Sequence, residues 1–428
     1  VQRHESDEER LARPSGWKPT LQRLACVAAV ALASSASATD VEASVTGLMQ
    51  ARPTVVSGEQ QTFLPFVAVL GLRVTEQRAW IFDELRAEFG AWGRLSVLDL
   101  GNSAADVDVA SISVRLLDRR LGLNLGRQFV SGGAARALQL DGASAEVLLP
   151  AGFGLSGFMG VPVIPRFALA RGDAVGGARA FWRHGWETEI GASYFELRDG
   201  GLVGRRDLGL DFRTLLFTRL AVSGLGVFSL LETRFAELGL TAKLALGDTV
   251  DLTGAFRRSS PDLFLPRSSI FSTFAETNRT EGSLAVDWTP VRAWSFGVDG
   301  RVIGFDDGLG YEVQGQVGFR PGRGTRSSLQ VIRLADPTNA YTRARIAVRQ
   351  TVGNVTLSAD VDGALFDNPI NGRTTALQGQ LTAKLALPAN FDVLVSGLAA
   401  TDPLFVQRFE LLARVVYTFK LHTTGEAR

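Results

Sequence analysis

The sequence predicts an all-β fold: a closed antiparallel transmembrane β-barrel of roughly 18–22 strands, with both termini periplasmic. Three observations carry that prediction. The C-terminal stretch Phe405–Leu421 places Phe409, Leu411, Ala413, Val415, Tyr417 and Phe419 at every second position, and Arg408, Glu410, Arg414, Thr418 and Lys420 fill most of the gaps. That is a strand with one apolar and one polar face, about twice the length usual in a soluble sandwich. The same alternation recurs along the chain between short turns. No run of about 18 apolar residues occurs, so no transmembrane helix is expected.

From the N-terminus, Leu24–Ala33 is the one helical apolar run, with Lys18 and Arg23 before it and Ala36-Ser37-Ala38 after it. This is the layout of a secretory signal, so residues 1–38 are assigned to a signal peptide. Glu5, Asp7, Glu8 and Glu9 are acidic where such a segment is basic, and Val1 fits a start placed too early. Cys26, the only cysteine, precedes most of the apolar run and reads as filler rather than as a lipidation site. An exported chain without further cysteine suits a wall held by its hydrogen-bond ladder.

Residues 39–421 are expected to form the barrel and 422–428 a short periplasmic tail. Val41–Gln50 is the first strand and the expected partner of Phe405–Leu421, since an open edge does not survive in lipid. Phe66–Val74 and Leu85–Ala91 follow. Short turns are expected at Arg119-Arg120, Pro150-Ala151, His184-Gly185, Leu215-Leu216, Gly247-Asp248, Pro290-Val291, Pro321–Gly324, Gly353-Asn354 and Pro388-Ala389. They would face the periplasm. The other connections, Ile164–Gly177, Ser259–Glu281, Phe305–Gly308, Ala335–Pro337 and Asp367–Gly372, would be extracellular. No fixed repeat argues for a solenoid.

Lys+Arg number 45 against 44 Asp+Glu, a formal charge of +1, which argues against a nucleic-acid binder. Charge cannot face the bilayer midplane without a cost of about 2–4 kcal/mol for a cation, so the charged parity of each strand should line the lumen. The pore-lining candidates are Arg213, Arg219, Arg257, Arg301, Arg320, Arg343, Arg345, Arg349, Asp207, Asp211, Asp360, Asp362, Gln314, Gln316, Gln378 and Gln380. Their signs balance, and mixed charge with amides is compatible with sugars. Leu263, Phe264, Arg267, Phe271 and Phe274 lie in the longest connection, which is too apolar to extend into water; a loop folded into the pore or a packed rim fits it equally. Tyr417 and Phe419, near the end of the last strand, are expected to form an aromatic girdle and to signal barrel assembly.

Other patterns carry less. Gly152–Gly157 matches G-x-G-x-x-G, but a strand follows where a dinucleotide site needs a helix. Asp106-Val107-Asp108 and Asp360-Val361-Asp362 could hold a metal, yet the second pair lies beside the arginine row of its neighbour. His4, His184 and His422 form no catalytic pattern, so neither enzyme activity, cofactor nor metal is expected.

Leu123, Gly126, Arg127, Gln128, Gly132, Gly133, Arg136, Asp141 and Gly142 form a strand ending in Leu-x-x-Gly-Arg-Gln, a Gly/Arg loop and a strand with Asp-Gly. Here the chain resembles outer-membrane porins of the alginate-export and related carbohydrate-porin type. The resemblance implies an outer-membrane channel for polysaccharide export or carbohydrate passage. A diffusion porin for small solutes is the alternative, and an adhesin or scaffold barrel the third reading. The alginate exporters have a strongly cationic lumen; the balanced signs here depart from that and are compatible with a neutral or zwitterionic glycan. Leu121, Leu123 and Leu125 share the parity of Arg127, so a regular strand aims Arg127 at lipid; a bulge or a position above the hydrocarbon would resolve this. The expected partners are outer-membrane lipid and lipopolysaccharide, the barrel-assembly machinery and a polysaccharide export complex.

Overall fold

The computed structural model describes residues 39–56, 59–77, 81–96, 103–163, 172–185, 187–260, 263, 278–306, 308–403 and 407–423. The strands are β1 (Thr39–Val56), β2 (Glu59–Phe63), β3 (Pro65–Gln77), β4 (Glu84–Ser96), β5 (Ala104–Leu116) and β6 (Leu121–Ser131). Next come β7 (Ala137–Leu148), β8 (Phe153–Pro162), β9 (Gly172–His184), β10 (Thr188–Asp199), β11 (Leu202–Leu216) and β12 (Leu220–Ser229). Then follow β13 (Arg234–Leu246), β14 (Val250–Ser259), β15 (Arg279–Val291), β16 (Trp294–Phe305), β17 (Gly308–Phe319) and β18 (Thr325–Ala335). The last are β19 (Ala340–Val352), β20 (Val355–Ile370), β21 (Arg373–Leu387), β22 (Phe391–Thr401) and β23 (Arg408–Thr423).

From β3 to β23 each strand pairs antiparallel with the next, and β1 closes the wall against β23, from Thr39 opposite Thr423 to Ala51 opposite Leu411. The first and last strands are thus partners, as their alternation predicted. The outer half of β1 pairs with β2 and its inner half with β3. Leu64 merely interrupts one wall strand, so the 23 segments make a closed barrel of 22 strands.

All nine expected turns fall at one end of the barrel, the end that also holds Thr39 and Thr423. Two are displaced. Leu215-Leu216 lies inside β11, and the chain reverses at 217–219, where Phe217 and Thr218 take the left-handed φ values 53° and 59°. Pro290-Val291 lies inside β15, where the ladder slips between Trp288 and Val291, and a slipped ladder tolerates a proline. The expected loops begin and end at the opposite end, although 164–171, 261–262 and 264–277 lie outside the described residues; strands run into two of them, β9 beginning at Gly172 and β20 continuing to Ile370. Further reversals at 200–201 and 230–233 also lie there.

Alternation sets the two faces. On β10, Ile190 is 53% exposed and faces outward, while its neighbour Glu189 is 8% exposed and faces the lumen. The outer surface is a continuous apolar belt, including Leu125, Leu210, Leu284, Val313, Ile346 and Leu381, left uncovered by the described residues. At the turn end this belt finishes in aromatic rings: Trp288 on Phe296 (5.4 Å), Trp294 on Phe319 (4.5 Å) and Phe391 on Tyr417 (4.5 Å), with Phe419 exposed beside them. An apolar band ending in an aromatic girdle is the surface a bilayer selects. No described helix is long and apolar enough to cross a membrane; the crossing is made by strands.

Candidate functional site

The lumen is lined by the polar parity of each strand and is interrupted on one side by a loop folded inward. That loop joins β6 to β7 and contains a single 3-10 turn, Gly133–Ala135. It crosses the inside of β8 and β9 and packs on β10 and β11, three to four strands or roughly 14–19 Å along the wall. Ala134 N–H donates to Ser193 Oγ (2.8 Å), and Arg205 Nη2 donates to the Ala134 carbonyl (3.2 Å). The Arg136 guanidinium reaches Glu237 on β13 and pairs with it.

Small residues let the loop sit this close. Gly133 has φ +53°, and a Cβ there would meet Ser193 Oγ at 2.1 Å. On the wall, a Cβ at Gly209 would meet Ser193 Oγ at 2.5 Å and Ala134 N at 2.7 Å. Beneath the loop, Ala134, Leu140, Val175, Phe195, Val227 and Ala236 form the buried apolar cluster, and Arg205 lies 4.7 Å over the Phe195 ring.

The charged side chains around the loop are interlocked. Arg205 Nε donates to Asp207 Oδ2 (2.5 Å), and Arg257 Nε to Glu237 Oε1 (3.0 Å). Towards the turn end, Glu189 accepts from Arg179 (2.8 Å), Arg183 (3.0 Å) and Arg213 (2.9 Å), and Arg179 also donates to Asp211. Both carboxylates under the loop are nearly sealed: Asp207 is 1% exposed and Glu237 7%. Asp207 therefore lies beneath the loop rather than open to the lumen.

On the opposite wall, Arg343 pairs with Asp362 and Arg345 with Asp360, the cross-strand pairing that competes with a metal site. Among the described residues no His/Cys/Asp/Glu group could hold a metal. Arg301 lies 4.0 Å from Glu312. Gln314, Gln316, Gln378 and Gln380 share the inward parity, and Gln380 donates to Ser396 Oγ (2.8 Å). Arg349 and Arg326, opposite one another on β19 and β18, are exposed. Two candidates lie beyond the wall: Arg219 is in the turn after β11, and Arg320 follows the last residue of β17 at the lumen mouth.

Leu263 packs against the buried cluster. Phe264, Arg267, Phe271 and Phe274 lie outside the described residues. The segment seen entering the lumen is the Gly132–Arg136 loop, within the stretch that carried the family resemblance. Its signal was present: two glycines, two alanines and one arginine between two strands. What alternation could not give was its destination 60 residues further along the chain.

Within the same stretch, Arg127 does face outward, beside exposed Leu125 and Phe129. It is neutralised by a two-pronged bond to Asp141 (2.7 and 2.8 Å), with further bonds to Asp106 (3.2 Å) and the Val107 carbonyl (2.6 Å). Gly126, at φ +114°, lets the backbone turn there; a Cβ would lie 2.1 Å from the Ala110 carbonyl oxygen.

No family model and no curated protein matches this chain. Solved barrels align along 90% of its length at low identity. Pseudomonas aeruginosa OccK1 (OpdK) matches over 99% of its own chain at 8% identity and TM-score 0.46. Acinetobacter baumannii OccAB2 matches over 98%, also at 8% identity and TM-score 0.46. P. aeruginosa OccK2 (OpdF) in complex with glucuronate matches over 98% at 11% identity and TM-score 0.42. By its own geometry, a closed wall with an apolar outside and a polar, charged inside, the chain is a transmembrane β-barrel of the outer-membrane type.

Proposed function

We propose that the channel passes hydrophilic solutes of the carbohydrate class, with the turn end and both ends of the wall periplasmic. The observation that carries this reading is the chemistry of the lumen. Arg343 and Arg345 are each paired with a carboxylate of the next strand, and amides and hydroxyls lie beside them. Such a wall offers many donors and acceptors without a field of one sign. The orientation rests on the short turns gathered at one end and the longer connections at the other.

The size of the wall favours a second reading within the same class, export of a glycan chain through a polysaccharide export complex. Twenty-two strands about 4.8 Å apart and tilted about 40° enclose a backbone diameter on the order of 40 Å. Liposome swelling with neutral sugars of increasing length separates the readings. Uptake limited to mono- and disaccharides supports small-solute passage, and swelling with long oligosaccharides supports the glycan reading. Proteoliposomes no more permeable to any sugar than protein-free vesicles would sink both. In cells, a deletion strain that loses surface glycan but keeps sugar uptake would establish export.

Tyr417 and Phe419 lie near the end of the closing strand, and we assign them to recognition by the barrel-assembly machinery. Phe419→Asp is expected to lower the amount of heat-modifiable folded barrel in the outer membrane; wild-type levels would refute the assignment.

A further inference from the structure

The outer surface is not uniform along its height. Its turn end finishes in aromatic rings, but its loop end carries ion clusters. Arg127 and Asp141 form one, and Arg333 with Asp367 and Thr342 another. The third has an excess of positive charge. On β10, Tyr194, Glu196 and Arg198 share the outward parity of exposed Ile190; on β11, Arg206 shares that of exposed Leu208 and Leu210. Glu196 accepts from the Tyr194 hydroxyl (2.5 Å), Arg198 Nε (2.7 Å) and Arg206 Nε (3.0 Å). One carboxylate thus serves two guanidiniums, whose side chains remain 56% and 37% exposed. Arg258 on β14, next but one to outward Phe256, adds a third exposed arginine at the same end. Between them, Phe228 and Phe235 stack edge to face at 5.3 Å.

We propose that this patch, Arg198, Arg206 and Arg258 around Glu196 and the two phenylalanines, docks a phosphorylated glycolipid of the outer leaflet, of the lipid A kind. The proposal rests on the orientation given above, which puts the loop end outside. Guanidiniums with unspent N–H donors match phosphate oxygens in geometry and charge. They cannot sit in hydrocarbon, so they mark the level of the headgroups. Below them the same wall is ordinary lipid-facing surface, Ile190, Leu208, Leu210 and Leu240. A contact between two barrels would instead extend down the strands. The aromatic pair lies where a glycolipid's acyl chains meet its sugars.

The test compares the full-length barrel with the triple variant Arg198→Gln, Arg206→Gln, Arg258→Gln in detergent, reading lipid A retention by native mass spectrometry. Removing the three arginines is expected to weaken retention roughly a hundredfold, at about fivefold per charge. Dephosphorylated lipid A should bind wild type as weakly as the variant binds lipid A. Single-channel conductance should not change, because none of these residues faces the lumen. Equal retention by both proteins, equal binding of dephosphorylated lipid, displacement by inorganic phosphate at the same concentration as lipid A, or a patch-dependent dimer would each overturn the proposal. If the triple variant does not fold, Arg258→Gln alone carries the test through its fivefold step. An epitope inserted between Gly200 and Gly201 checks the orientation separately. Surface labelling of intact cells supports it; labelling only after lysis overturns the orientation and, with it, the outer-leaflet assignment.

Discussion

On the inner face of β10, Ser193 and Phe195 are 8% and 2% exposed. On the inner faces of β18 and β19, Arg326, Ser328 and Arg349 are all open or partly open to the lumen. Both walls are built from arginine, carboxylate and small polar residues at the same parity. The difference is the Gly132–Arg136 loop, which covers the first wall and leaves the second bare. Under the loop the charges hold a segment in place; on the bare wall they meet whatever passes. Lumen charge is therefore a poor guide to selectivity until its coverage is known.

The comparison breaks most readily at Glu237. Replacing it with Leu leaves the Arg136 guanidinium buried without its carboxylate, a change that costs about 3–5 kcal/mol in buried pairs. The loop should detach, and trypsin should then cut the folded barrel after Arg136, where wild type is protected; continued protection would mean the pair does not hold the loop. Gly133→Val should act in the same direction through sterics. Its Cβ has no room beside Ser193 and its φ is left-handed, at a cost of about 1–3 kcal/mol. The same protease assay reads it.

The bare wall should respond oppositely. Arg326→Glu with Arg349→Glu should leave thermal stability within about 0.5 kcal/mol. The reversal potential under a salt gradient should shift toward cation preference. A stability loss without such a shift would place these arginines in the scaffold. The smallest effect is expected above this wall, in the connection between β18 and β19. There the Thr338 hydroxyl and the backbone N–H groups of Thr338 and Asn339 hold the Asp336 carboxyl below its usual range. A carboxylate lowered in the folded state stabilises above its unfolded pKa, about 3.9, and loses that contribution as pH falls through its lower folded value. The protection of the Thr338 and Asn339 amides, relative to their intrinsic exchange, should therefore fall below about pH 4, and Asp336→Asn should remove that pH dependence.

Period-two alternation made much of the architecture readable, because in lipid each strand must sort its side chains by face. Thus Val41–Gln50 and Phe405–Leu421 could be matched as closing partners before their register was known. Prolines and glycines marked the turns for the same local reason. Pro290 misled because a slipped ladder absorbs a proline that an even one would expel. The parity of Arg127 was read correctly as outward, but its neutraliser, Asp141, lies on the next strand and depends on register. Least legible was the inward loop. Its residues have no period, and its anchors Ser193, Gly209 and Glu237 are set by how far the wall curves back.

The most direct test of the two-wall account uses two near-isosteric substitutions, Ser193→Cys under the loop and Ser328→Cys on the bare wall, in a wall otherwise free of cysteine. Single channels would be recorded while a charged, membrane-impermeant thiol reagent is added. The account predicts that Ser328→Cys reacts promptly and steps the current down. Ser193→Cys should stay silent until Glu237→Leu is added to it. Equal reaction rates at the two positions in the otherwise wild-type channel would contradict it.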